Sequence, residues 1–176
     1  MIDEKTKLDV RQKTLETFEK AHIVLTDKEK EGIEYVDEGL NDIYELGLQI
    51  VVYVNTDRVC AKEICMLPFQ TCPEHMHPPV DGKEGKEETF RVRYGKMYLY
   101  VPGEPTKNIK ARLPKKYKFS VFHEIELNPG DQFTIYPNTM HWFQAAEEGC
   151  IVSEFSTRST DENDVFTDET MVRVGK

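Results

Sequence analysis

The 176-residue sequence predicts a mainly β domain, a sandwich or closed antiparallel barrel, behind a short helical extension. Two observations carry this expectation. From Leu48 onward, runs rich in β-branched and aromatic residues alternate with turn signals often enough for eight or more strands. After residue 50 no long helical pattern recurs.

The elements follow in order. Residues 3–21 read as an amphipathic helix, with Leu8, Val10, Leu15, Phe18 and Ala21 close to helical spacing among Lys and Glu. Such a helix suits either the end of a barrel or a second subunit. Residues 26–32 are a polar connection or helical turn, and residues 33–36 are strand-like. Asn41 to Leu46 suggests one turn of helix, with Asn41 as N-cap and Gly47 closing it. Strands are expected over residues 48–54, 59–67 and 90–101. Gly95-Lys96 reads as a hairpin turn, Asn128-Pro-Gly-Asp131 as a second turn and Glu147-Glu-Gly149 as a third. Residues 80–87 form a polar loop, and the tail from Thr157 begins acidic. The division expected is residues 1–32 as the helical extension and residues 33–176 as the barrel domain with its tail.

A formal charge of -9 disfavours nucleic acid and anionic membranes as partners. No apolar run approaches the roughly 18 residues that span a bilayer, and the first residues lack a signal-peptide pattern. The four cysteines (Cys60, Cys65, Cys72, Cys150) form no CxxC pair and read as reduced core residues. A cytoplasmic protein is expected.

Two blocks carry chemistry. The first, Cys72-Pro-Glu-His-Met-His-Pro-Pro, sets His75 and His77 two residues apart, so on a strand both imidazoles face one space. Glu88 follows, with Gly95 seven residues on; the second block runs from Asn128 to His141. If the intervening strands curl, Glu88 and His141 join the first pair. Three imidazoles and a carboxylate without a thiolate suit Mn, Fe, Co, Ni or Zn with positions left open. Glu87 is the rival to Glu88; it falls on the opposite strand face and breaks the step to Gly95.

His-x-His, then Glu with Gly seven on, then Gly-Asp ahead of a third His resembles the two cupin motifs. Pro137 stands one place late, Asn138 holds the customary Gly position, and the His77–Glu88 gap is long. Longer segments, among them Gln70-Thr-Cys-Pro-Glu-His-Met-His-Pro-Pro and Pro137-Asn-Thr-Met-His-Trp-Phe-Gln, are similar to the bacterial D-lyxose isomerase family. The similarity spans roughly residues 33–168. It implies a cupin barrel, commonly dimeric, with one Mn ion per chain. The implied activity is isomerisation of a free sugar: D-lyxose to D-xylulose, and often D-mannose to D-fructose.

Such a reaction moves a proton between C1 and C2 through an enediol, and a base must sit over the carbon. Glu154 is the candidate base, because Cys150, Val152, Glu154 and Ser156 share one strand face. Lys62, flanked by Cys60 and Ile64, is the candidate to hold a sugar oxygen; the opposite phase puts Glu63 inside instead. Thr71 lies in phase with His75 and His77 and is expected at the sugar, as is Phe143 on the face of His141. Asp164, in the tail that resembles the family, is a candidate for a distal hydroxyl. Arg91 and Arg93 share the face opposite Glu88 and suit the surface. Three alternatives stand beside the isomerase: a cupin-type sugar-phosphate isomerase, a cupin dioxygenase, and a non-catalytic metal-bearing sugar-binding cupin.

Overall fold

A computed structural model describes residues 2–173. Two helices, α1 (Glu4–Lys20) and α2 (Asp27–Glu31), precede the strands β1 (Glu34–Val36), β2 (Leu48–Asn55), β3 (Cys60–Met66) and β4 (Thr71–Met76). Then come β5 (Glu88–Val101), β6 (His123–Leu127), β7 (Gln132–Ile135), β8 (His141–Ser156) and β9 (Val165–Phe166).

The long strands β5 and β8 form the spine, paired antiparallel from Glu88↔Ser156 to Tyr100↔Trp142. On the free edge of β8, its first half takes β4 and its second half takes β3. On the free edge of β5, β7 and β6 share the length in the same way. Each long strand therefore belongs to two walls, and the sheet curls into an antiparallel half-barrel. Phe90, Val92, Leu99, Phe143, Val152 and Ile64 fill the space between the walls.

Two glycines expected in turns lie inside these long strands. Gly95 has φ +67, and a Cβ there would stand 2.0 Å from the carbonyl oxygen of Gly149. The backbones meet where the register of β5 on β8 shifts around Gly95, so the glycines permit a bulge and not a reversal. Neither Gly95-Lys96 nor Glu147-Glu-Gly149 is a hairpin turn. The Asn128–Asp131 turn stands as expected, joining β6 to β7 with Asp131 N–H donating to Asn128 O at 2.8 Å.

Helix α1 lies on the outer face of the sheet. Asp3 caps it by accepting from Thr6 N–H at 2.9 Å. Val10, Thr14 and Phe18, four apart, form its buried stripe, and Phe18 packs with Cys65 of β3 and Ile151 of β8. Leu8, expected on that stripe, is 65% exposed, because the contact is narrower than the apolar pattern. Asn41 does not cap a helix. It has φ +55, and Asp42 O closes the single turn onto Leu46 N–H at 2.8 Å.

No helix among the described residues is long and apolar enough to cross a membrane.

A candidate metal centre inside the barrel

Three strands bring the two sequence blocks together. His75 on β4 is the register partner of His141 on β8, and Cys72 is the partner of Phe143. Between these pairs β4 takes three steps and β8 takes two, so β4 carries a bulge. His77 lies just past β4, where its carbonyl accepts from Asn138 N–H at 3.2 Å. Asn138 makes that contact with φ +61, a conformation that Asn tolerates in place of the usual glycine. Glu88 opens β5 and is 1% exposed, whereas Glu87 faces solvent.

Each imidazole is oriented from behind. His75 Nδ1–H donates to Pro73 O at 2.8 Å and His141 Nδ1–H to Thr139 O at 2.9 Å. His77 Nδ1–H donates to Asp164 Oδ1 at 2.6 Å. These bonds leave the Nε2 atoms of His75 and His141 as lone-pair donors. The ligand atoms of the three histidines lie within 4.8 Å of one another. Glu88 Oε1 stands 3.2 Å from His77 Nε2 and 3.0 Å from His141 Nε2. His141 Nε2 is fully buried and has no hydrogen-bond partner. A carboxylate oxygen facing an imidazole lone pair at that distance is unfavourable unless a cation joins them. A divalent ion fits this donor set.

The charges around the site agree with that fit. Five carboxylates (Glu38, Glu88, Glu154, Asp161, Asp164) and three cations (Lys62, Lys86, Arg173) line one cavity. Burial alone would raise Glu88, but Lys86 and His77 hold its carboxyl well below the usual range. Burial also opposes the charged forms of Lys86 and Lys62, yet the surrounding carboxylates raise both, so both stay protonated. Burial pushes Asp164 up against the pull of His77. The free volume of the cavity is about 30 Å³, enough for an ion or a water or two but not a sugar.

Most of the candidate residues meet here. Glu154 lines the cavity with Oε1 3.0 Å from Ser156 Oγ, 3.4 Å from Lys86 Nζ and 3.5 Å from Lys62 Nζ. Lys62 faces inward and reaches Asp161 at 2.6 Å and Ser159 Oγ at 2.9 Å. Glu63 points to the other face, beside Ser153 and Arg93, and Arg91 and Arg93 are exposed. Phe143 lines the cavity, while Trp142 turns away to stack on Tyr100 at 3.8 Å. Asp164 is present, but its carboxylate is engaged by His77. Thr71 is outside the cavity, where its hydroxyl accepts from Gln144 Nε2 at 2.8 Å. The bulge in β4 reverses the phase expected from His75, so Cys72 lines the cavity instead.

Four residues of the site were not among the candidates. Lys86 lies two residues before Glu88, so the alternation that selects Glu88 over Glu87 also turns Lys86 inward. Asp161 and Arg173 lie in the tail, and Glu38 in an irregular turn, where no periodicity signals orientation. Arg173 Nη1 reaches Glu38 at 3.0 Å and Nη2 reaches Asp161 at 3.6 Å.

Comparison with known proteins follows the same residues. A sequence profile of D-lyxose isomerase matches residues 112–176, which include His141, Glu154 and Asp164. A D-lyxose/D-mannose isomerase of Thermosediminibacter oceani is 57% identical, covering 99% of this chain and 97% of that protein. The chain belongs to the D-lyxose isomerase family. A D-lyxose ketol-isomerase of Thermofilum sp. is 55% identical over 99% of this chain and 98% of its own length. Like its family, the chain is an enzyme, an aldose–ketose isomerase. Among solved structures, the L-ribose isomerase of Cellulomonas parahominis superposes with a TM-score of 0.71 at 14% identity. That match covers 99% of this chain and 98% of the other, and the shared architecture is the cupin barrel.

Proposed function

We propose that this isomerase interconverts D-lyxose with D-xylulose and D-mannose with D-fructose. In this reading one divalent ion, Mn²⁺, is held by His75, His77, Glu88 and His141. The observation that carries it is that His75 and Glu88 of that donor set line one cavity with Glu154, Lys62 and Lys86, while His77 and His141 close on them from beside it. The substrates follow the names of the full-length relatives. The bound ion would supply Lewis acidity to the sugar oxygens at C1 and C2.

In the proposed reaction Glu154 takes the proton from C2 of the open-chain aldose and returns it to C1 on the same face, while the hydroxyl proton of O2 passes to O1. Lys62 and Lys86, both beside Glu154, hold the carboxylate and stabilise negative charge developing on the sugar oxygens. Phe143 supplies an apolar wall, and Asp164 serves the sugar indirectly by orienting His77. The cavity is smaller than a pentose, so sugar binding displaces part of its wall. Every cation in the cavity already faces carboxylates, which supports an uncharged sugar over a sugar phosphate. The same proposal takes residues 33–176 as the catalytic domain, residues 1–32 as its helical extension, and a cytoplasmic homodimer as the working form.

The test is ketose formation from a panel of free aldoses, using protein stripped with chelator and assayed with and without Mn²⁺. Turnover of D-lyxose and D-mannose that returns with Mn²⁺ is expected. No turnover of any free sugar with any divalent ion would overturn the proposal. Glu154→Gln is expected to abolish turnover while metal content is retained, and undiminished turnover would remove Glu154 as the base.

A further inference from the structure

Glu74 is a carboxylate that the reaction does not use, although it stands directly before His75. Adjacent strand residues face opposite sides, so Glu74 points away from the cavity while His75 points in. Its side chain is 1% exposed, and only donors surround it. Oε2 accepts from Ser120 N–H at 2.7 Å and Val121 N–H at 3.0 Å. Oε1 accepts from the hydroxyls of Ser120 and Thr167, each at 2.5 Å. The Glu74 carbonyl takes a further bond from Thr167 N–H at 3.1 Å.

These partners all lead back to the histidines. Val121 O accepts from Trp142 Nε1–H at 2.7 Å, and Trp142 is the neighbour of His141. Thr167 lies three residues after Asp164, which orients His77. Phe166, next to Thr167, is the register partner of His75. One buried carboxylate thus joins the segment that carries His75 and His77, the loop that grips the neighbour of His141, and the tail that holds His77.

We propose that Glu74 is a positioning residue for the metal centre, locking the three segments that place His75, His77 and His141 against one another from behind. The inference rests on the proposed metal site. Partners behind ligating side chains typically change metal affinity by 10–100-fold when removed. A carboxylate suits this place because it offers acceptors alone, and four side-chain-directed donors converge on it.

The test compares wild type with Glu74→Gln and Thr167→Val. Gln keeps the shape, and the Ser120 and Thr167 hydroxyls can rotate to accept from its amide. Thr167→Val removes the hydroxyl bond from the tail to Glu74, with its 3.4 Å contact to Met140 Sδ, and keeps the Thr167 N–H bond to the Glu74 carbonyl. Mn²⁺ dissociation constants would be measured from free-ion EPR, and the visible absorption of the Co²⁺-loaded proteins would report ligand geometry. Circular dichroism and melting of the metal-free proteins separate folding from metal binding. The expected result is folded variants with Mn²⁺ affinity weakened roughly tenfold and an altered Co²⁺ spectrum. Folded variants with wild-type affinity and spectrum would overturn the role of Glu74, even if they melt lower. If Glu74→Gln fails to fold, Thr167→Val decides by the same criteria. A wild type that binds no divalent ion would overturn the metal site and this inference together; a metal-binding wild type with unaffected variants overturns only the inference.

Discussion

The ammonium of Lys86 lies 3.4 Å from the carboxylate of Glu154, with both side chains 4% exposed. The same ammonium reaches Glu88 at 2.8 Å and Asp161 at 3.0 Å. One cation therefore neutralises the proposed fourth metal ligand, the proposed base and a tail residue. Removing a single partner from a buried ionic cluster typically costs about 3–5 kcal/mol, because the remaining charge is left uncompensated. Lys86→Met is expected to lose that much stability in urea unfolding of the metal-free protein, and to lose turnover. A loss below about 1 kcal/mol, the scale of an exposed pair, would mean that Lys86 does not carry this charge balance.

The three clustered histidines, with Glu88 beside two of them, predict stabilisation by a divalent ion. A ligand that binds only the folded state at one hundred times its dissociation constant adds about 2.7 kcal/mol. For a chain of this size that corresponds to a rise in Tm of roughly 5–10 °C. Melting with Mn²⁺ and with chelator measures it, and Glu88→Gln should shrink the difference. Identical melts would count against the donor set.

The grouping of the candidate ligands was legible because strand alternation survives curling. His75 and His77 share a face, and Glu88, unlike Glu87, is in phase with the interior. Lys86 was legible by the same rule, but its polar, glycine-containing neighbourhood disguised the start of the inward-facing run. Thr71 was misread because one extra residue in β4 reverses the phase between Cys72 and His75, and a bulge leaves no mark in composition. Gly95 and Gly149 were misread for a related reason. A glycine that reverses a chain and one that lets two strands touch look alike until the partner strand is known. Asp161, Arg173 and Glu38 owe their positions to tertiary contacts alone.

The bulge makes a prediction about Thr71. Its hydroxyl serves Gln144, whose own amide oxygen accepts from Arg112 N–H at 2.7 Å. Thr71→Val should cost about 1 kcal/mol of stability, the scale of one lost buried hydrogen bond, and leave KM for the sugar within about twofold of wild type. A large rise in KM at unchanged stability would return Thr71 to the substrate.

Gly95 and Gly82 form a matched pair. Both have positive φ, +67 and +74, but a Cβ meets backbone at 2.0 Å at Gly95 and nothing within 4 Å at Gly82. Gly82→Ala should cost about 1–2 kcal/mol from backbone conformation alone. Gly95→Ala should cost a further 1–3 kcal/mol or so from overpacking, because β5 and β8 must separate. Thermal unfolding of the two variants compares them. Equal losses would mean that the strands part without strain, and that the close approach does not hold the curl of the sheet.

Glu38 predicts a pH dependence of its own. Burial pushes its carboxyl up to about 7 from its ordinary 4.5, against the pull of Arg173. The folded state therefore binds this proton more tightly than the unfolded chain. Stability from Glu38 is fully present below about pH 4.5 and is lost as pH rises through about 7. The loss is roughly 3 kcal/mol across that window. Glu88 and Asp161 act with the opposite sign, because their folded values are depressed; their contribution is lost only as pH falls below the ordinary carboxylate range. Glu38→Gln removes the first effect and keeps an acceptor for Arg173. Subtracting the variant's stability from that of wild type at each pH, with Mn²⁺ saturating, isolates the titration of Glu38. The difference should fall as pH rises from about 4.5 to 7. A flat difference would mean that Arg173, 3.0 Å away, keeps Glu38 ionised throughout, so that the pair acts as a permanent ionic clasp between the tail and the turn at Glu38.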